Sequence, residues 1–394
     1  MNVLIVSAMF PPIRTGTSFY TKNLAAHLAQ LGWNVTVVTA KNVELATEDF
    51  SFKLEKLNSL HINLKSYFKH LRFCSFYPSN YRRMVTLASE NNVQLIILVN
   101  HYLDIAFPAI WASRKLKIPI VVSVGTQMQS MNPFMNSILK FMDRLICGRF
   151  IFPNVKAIIS WDSEIERYIR EVQRSKIAEK SVVIPFGPNG DTAASMNYRK
   201  DYSKRSMVIL GVGAIISQRN YLFHVLVLNH LLKKQPNLKL RIIGHQYTDK
   251  PILLAKELGI SENVEFLGEL PHNEVIQEMR NADIHWMMLS ASYVGLGTAT
   301  LEAMALGIPV ISNSPENLIG KGRLKDLQNY IYCDGMNAVE FSEKLWPILS
   351  DSKSLETIGL GGRYLVNEYL NWNFVASEYS RMALQWISPS SNSQ

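Results

Sequence analysis

Cysteine is scarce in this chain of 394 residues: Cys74, Cys147 and Cys333 are the only three, far apart and never as Cys-x-x-Cys. That spacing argues against a disulfide framework and a Cys-rich zinc site, and fits a reducing compartment. Asp-x-Asp and clustered histidines are missing too, so no metal site is expected. No uninterrupted apolar run approaches membrane-spanning length. The opening MNVLIVSAMFPP lacks the basic residues of a signal peptide, and its Pro pair reads as a strand ending in a loop. These absences point to a cytoplasmic protein without a membrane span.

Excess positive charge is missing from the second half. The net charge is +9, yet residues 1–190 hold 22 Lys and Arg against 12 Asp and Glu, and the remainder holds 19 against 20. Such asymmetry calls for an anionic partner, nucleic acid or membrane. No nucleic-acid recognition motif appears, and the basic residues interleave with aliphatic ones, so nucleic acid is not expected. Two segments carry the membrane alternative. Residues 52–72 place Leu54, Leu57, Leu60, Leu64, Phe68 and Leu71 at helical spacing among lysines, which predicts a basic amphipathic helix. Residues 134–152 are apolar and aromatic with scattered charge. Peripheral contact with the inner face of the cell membrane is expected through both.

The remaining pattern is alternation. NVLIVSA, VTVVTA, VQLIILV, IPIVVSV and VKAIIS are apolar runs of the kind buried on both faces of a parallel sheet, with helical stretches among them. A second series begins at MVILGVG and continues through a helix over Arg219–Lys234, LKLRIIG, VEFLG and DIHWMML. Repeated βα units predict an α/β protein with two doubly wound parallel sheets and a ligand cleft between them. The expected organisation is a first domain over 1–190 on the acceptor side, completed by 371–387, then a polar linker over 191–206. A donor-side domain follows over 207–370, and a disordered tail over 388–394.

The stretch Ser290–Asn313, SASYVGLGTATLEAMALGIPVISN, is the strongest local signal. Gly295, Leu296 and Gly297 form a short glycine loop that leads into a helix from Thr298 to Leu306, stopped by Gly307. Such a loop lets backbone approach a ligand, and the helix start offers N–H groups to an anion. Glu302, one turn in, is placed to accept hydrogen bonds from sugar hydroxyls.

Four places together resemble the retaining glycosyltransferases of family 4, whose GT-B fold sets two Rossmann-like domains face to face. FPPIRTG resembles the PPxxGG loop, with Gly16 kept. GVGAIISQRN resembles G-R-x4-K-G, with Gly213 kept, Ala214 for the Arg and Arg219 for the Lys. SASYVGLGTATLEAMALGIPVIS resembles E-G-F-G-x4-E-A-M-A-x-G-x-P-V, with Val294 for the first Glu. NWNFVASEY resembles the W-x3-A-x-x-Y end, where the last helix returns to the first domain. Gly125, in SVGTQ, stands where the family carries a His.

The resemblance implies a nucleotide-sugar donor, UDP- or GDP-linked, with no other cofactor and no metal. It implies that Arg219 and Glu302 are catalytic, and that the donor is held by Gly16, Gly213, Arg219, Gly295, Leu296, Gly297, Thr298 and Glu302. The nucleobase would lie against Phe266 and Leu267, and His101 and Gln127 would face the acceptor. The reaction implied transfers a sugar with retention to a glycan or lipid-linked acceptor in surface polysaccharide or lipopolysaccharide synthesis. The departures at Val294, Ala214 and Gly125 keep a catalytically weak or inactive GT-B subunit as the alternative. A dinucleotide-dependent dehydrogenase is the other, but GVGAII lacks the third glycine of its fingerprint.

Overall fold

The computed structural model describes residues 1–13, 15–41, 49–61, 72–102, 104–189, 198, 200–202, 207–289 and 295–387. It divides into two compact units, 1–186 with 372–394, and 187–371. The expected linker over 191–206 and the tail over 388–394 lie largely or wholly outside the described residues.

In the first unit, β1 (Asn2–Ser7), β2 (Asn34–Ala40) and β3 (Lys53–Leu57) precede a small antiparallel pair, β4 (Leu60–His61) with β5 (Arg72–Phe73). β6 (Leu95–Val99), β7 (Ile120–Val124), β8 (Ile158–Ser160) and β9 (Ser181–Val183) follow. The main sheet is parallel, in the order β3-β2-β1-β6-β7-β8-β9. β6 and β7 are buried at every position, which is why LIILV and IVVSV read as continuous apolar runs rather than alternating ones. The last helix, Trp372–Ile387, belongs to this unit. Its Tyr379 hydroxyl lies 2.9 Å from that of Tyr20, and Trp372 meets the Tyr20 ring edge-on.

The second unit has β10 (Val208–Val212), β11 (Lys239–Ile243), β12 (Val264–Gly268), β13 (Ile284–Trp286), β14 (Val310–Ser312) and β15 (Ile331–Tyr332). Its sheet is also parallel, in the order β12-β11-β10-β13-β14-β15. Each sheet reverses its winding at its first strand, so β1 lies between β2 and β6, and β10 between β11 and β13. In open α/β sheets ligands settle beyond the carboxyl ends of the strands at such reversals.

Two sequence expectations are corrected. Residues 52–61 are not an amphipathic helix: Lys53–Leu57 is β3, with Thr36 opposite Lys53 and Ala40 opposite Leu57. The open edge of β2 supplies ladder hydrogen bonds, and Leu57 buries while Glu55 pairs with Lys53 and Arg83, so tertiary pairing overrides the leucine spacing. Residues 62–71 of that segment are outside the described residues. Arg219 does not open a helix either. It ends a 3₁₀ turn, Ser217–Arg219, and the helix begins at Tyr221 after Asn220 adopts a left-handed φ of 37°. Asn tolerates that conformation at the position where the family motif has Gly.

Candidate functional site

Glycines end three adjacent strands of the second unit. Gly213, Gly244 and Gly268 take φ of 137°, 148° and 69°. Gly213 donates its N–H to the Ile243 carbonyl and Gly244 donates to that of Gly268, both at 2.7 Å. A Cβ on Gly244 would come within 2.3 Å of the Gly213 oxygen, so backbone packs on backbone there. On Gly213 itself rests the Arg219 guanidinium: a Cβ built on that glycine would lie 2.2 Å from Arg219 Cζ. The guanidinium donates to the Val212 carbonyl at 3.1 Å, and the Tyr221 hydroxyl donates to the Gly213 carbonyl at the same distance. A half-buried cation is thus seated at the carboxyl end of β10, where the winding reverses.

β13 contributes the other side of that reversal. His285 is fully buried, and its pKa is pushed down to about 3, first by burial and then by the Arg219 charge. It is therefore neutral near pH 7. Its Nε2 lies 3.4 Å from Thr300 Oγ1 on the helix Thr298–Ala305. Asn220 lies 4.0 Å from the Met288 sulfur, and Gly297, the helix N-cap, sits over the Met287 sulfur. These contacts bring the helix start and Arg219 into one cluster. Gly297 has no side chain to cap the helix, and the first N–H groups of any helix have no partner within it. Cation, helix amides and dipole together suit a diphosphate.

Glu302, on the same helix, is buried and accepts from His272 Nε2 at 2.9 Å. Burying a carboxylate is costly unless it is paired, and His272 supplies the pair. Sequence reasoning missed His272. Phe266 and Leu267 lie on β12 half-buried, and Phe266 packs against the unit's core. Gly295 and Leu296 are described, with Leu296 buried, whereas Val294 is outside the described residues.

The remaining predicted residues belong to the first unit. Gly16 is exposed at the start of the helix Gly16–Gln30, and a Cβ built on it would meet open space. Asn100, which the sequence did not single out, ties this region together. With φ of 63°, it donates to Thr17 Oγ1 at 2.6 Å and accepts from the Gly125 N–H at 3.0 Å. Gly125 has a steric reason to lack a side chain, because a Cβ there would lie 2.3 Å from the Trp161 ring. Trp161 is fixed by stacking on Tyr20 at 4.2 Å and by donating to Ser123 Oγ at 2.7 Å. Gln127 donates to the Glu164 carbonyl. His101 is corrected as an acceptor-facing residue: it has no exposed surface, and its Nε2 lies 3.2 Å from Asp143. Asp143 also accepts from Tyr168 at 2.6 Å, and its carboxyl is held below the usual range by these donors against the opposing effect of burial.

Two family models match, "Glycosyltransferase Family 4" over residues 14–189 and "Glycosyl transferases group 1" over residues 197–363, which together take in most of the chain. The chain belongs to the family 4, group 1 glycosyltransferases. Among relatives of this glycosyltransferase chain, a GDP-mannose-dependent alpha-(1-6)-phosphatidylinositol monomannoside mannosyltransferase of Mycolicibacterium smegmatis is 24% identical over 48% of this chain and 50% of its own length. A D-inositol 3-phosphate glycosyltransferase of Nocardia farcinica is 30% identical over 33% of this chain and 30% of its own length. The chain therefore spans about half or less of the curated relatives it matches. Solved structures match it end to end. A sucrose-phosphate synthase of Thermosynechococcus elongatus gives a TM-score of 0.70 at 18% identity, covering 98% of both chains. Anabaena Alr3699/HepE in complex with UDP gives 0.70 at 16%, covering 98% of this chain and 100% of that one. The shared fold is GT-B.

Proposed function

We propose that this glycosyltransferase chain moves a sugar from a UDP- or GDP-sugar to a glycan or lipid-linked acceptor with retention of configuration. The acceptor belongs to surface polysaccharide or lipopolysaccharide synthesis on the cytoplasmic face of a membrane. What carries the reading is the Arg219 guanidinium seated on Gly213 at the winding reversal of the second sheet, beside an uncapped helix start. Relatives named for GDP-mannose and a similar fold solved with UDP support a nucleotide sugar without choosing the base.

Retaining transfer passes through an oxocarbenium-like state while negative charge grows on the departing diphosphate. Arg219 meets that charge with a planar pair of donors, and amides at Gly297, Thr298 and their neighbours add to it. His285, being neutral, does not compete for the anion. Glu302 keeps one carboxylate oxygen on His272, and the other takes a ribose hydroxyl. The base lies by Phe266 and Leu267, and Gln127 serves the acceptor. No step in this scheme uses a metal.

A thermal-shift screen of UDP-, GDP-, ADP- and CMP-sugars, followed by donor hydrolysis on each hit, tests the reading. A nucleotide-sugar hit whose turnover collapses in Arg219→Ala is the expected result; no stabilisation by any of them would overturn it. One observation favours the second reading, a GT-B subunit without turnover: Trp161 fills the space at Gly125 where the family carries a His. That reading predicts donor binding without hydrolysis or transfer.

A further inference from the structure

We propose that the segment from Met131 to Phe150 is a docking element that lays an aromatic and basic face on a bilayer containing anionic lipid. The inference deepens the reading of a membrane-side acceptor by naming the surface, and its structural support lies wholly in the first unit. A helix in a folded domain is normally held by burying one face, yet Pro133–Met142 buries no residue at all. Phe134, Phe141 and Phe150 are 75%, 65% and 52% exposed, with Met131, Met135 and Leu145 each above 45%. These six are a compact share of the large apolar side chains that the described residues expose.

The opposite side of the element is anchored. In the π-helical continuation Asp143–Ile151, Asp143, Cys147 and Ile151 point inward, and Asp143 is held by Tyr168 and His101. Fixing these residues inward leaves Leu145, Ile146 and Phe150 outward. Lys140, Arg144 and Arg149 are the basic residues of the segment, and its single acid, Asp143, is buried. Lys140 lies 3.5 Å from Glu171, while Arg144 and Arg149 are exposed. Trp111, 53% exposed, lies on the neighbouring helix Ala106–Leu116, whose Arg114 donates to Asn154 at 2.8 Å. Aromatic side chains with basic residues among them, and no exposed acid within 131–150 although Glu171 neighbours it, match the boundary layer of an anionic bilayer. A second copy of this chain would instead bring like charges together. Among the described residues no helix is long and apolar enough to cross a membrane, so the element lies on the surface.

Co-sedimentation of the full chain with vesicles of phosphatidylcholine alone, or with phosphatidylglycerol added, tests this without any donor. Wild type should bind the anionic vesicles and release at high salt. The triple variant Phe134→Ser, Phe141→Ser, Phe150→Ser should lose binding by about tenfold or more, on the scale of membrane partitioning by buried apolar groups. Arg144→Gln with Arg149→Gln should lose about fivefold per charge on anionic vesicles only. Circular dichroism and the melting temperature should match wild type for both variants, because the substituted side chains are exposed. Wild type that stays in the supernatant, or a triple variant that binds like wild type, overturns the proposal. So does a dimer in light scattering that the Phe variant dissolves while vesicles are ignored. Nucleotide-sugar binding is read separately, so either proposal can fail alone.

Discussion

The seat of Arg219 on Gly213 makes a sharp prediction for Gly213→Ala. The added methyl would lie 2.2 Å from Arg219 Cζ, against an ordinary carbon contact of about 3.5–4.0 Å, so the guanidinium must move away by more than an ångström. That displacement costs little stability, since the group is the end of a flexible side chain. The stability cost comes from φ of 137°, which an L side chain rarely adopts, and is about 1–3 kcal/mol. The functional cost is larger if the proposed role holds. Losing one preorganised donor to a developing oxyanion costs about 10²–10³ in turnover, or roughly 3–4 kcal/mol. Gly213→Ala should therefore lower turnover by about 10² and Arg219→Ala by a similar factor. The double variant should be no slower than Arg219→Ala alone, because both changes remove the same contact. Single-turnover kinetics with donor and acceptor, set beside the melting temperature of each variant, measure this. Full turnover in Gly213→Ala, or factors that multiply in the double variant, would refute the seat.

His272→Ala should leave the Glu302 carboxylate buried without its donor, at a cost of about 1–3 kcal/mol. Calorimetric titration with the donor should show weakened affinity, and an unchanged affinity would remove Glu302 from the ribose site. Gly125→Ala should destabilise the first unit by about 1–3 kcal/mol through collision with the Trp161 ring. A Trp161→Leu background should relieve most of that loss, and equal destabilisation in both backgrounds would dissociate the two positions. Acid should weaken the second unit. His224 and His285 are fully buried with pKa values pushed down to about 3, so their folded-state values lie below the unfolded one. Their contribution is complete above about pH 6.5 and falls as pH drops toward 3, by about 1.4 kcal/mol per pH unit per histidine. Scanning calorimetry from pH 7 to pH 5 should show this, and His224→Phe should make the slope shallower. A flat profile in wild type would mean that these rings are not buried in the neutral form.

The two βα series were legible because fully buried parallel strands leave uninterrupted apolar runs, and glycines mark where they end. Helix boundaries such as Thr298–Ala305 followed from capping signals. Residues 53–57 were misread because Lys-Leu-Glu-Lys-Leu sets its two leucines three apart, a helical spacing that breaks strand alternation, although the segment forms a strand. Only the open edge of β2 decides between helix and strand. His101 was misjudged for a related reason: its apolar strand predicted the fold, but its partner Asp143 is 42 positions away and nothing local announces the pair. His272 and Trp161 were missed likewise, since each matters through a residue remote in sequence, Glu302 and Gly125. The Arg219 position was legible from motif spacing, whereas its rest on Gly213 needed coordinates.

The return of Trp372–Ile387 to the first unit has a consequence for biosynthesis. Tyr20 is made 359 residues ahead of its hydroxyl partner Tyr379. Residues 187–371 contain β10 to β15 and can complete a core during translation, whereas the first unit must wait for Trp372–Ile387. A nonsense codon shortly after Tyr369 should therefore spare the later-made half and leave the earlier-made half open to proteases.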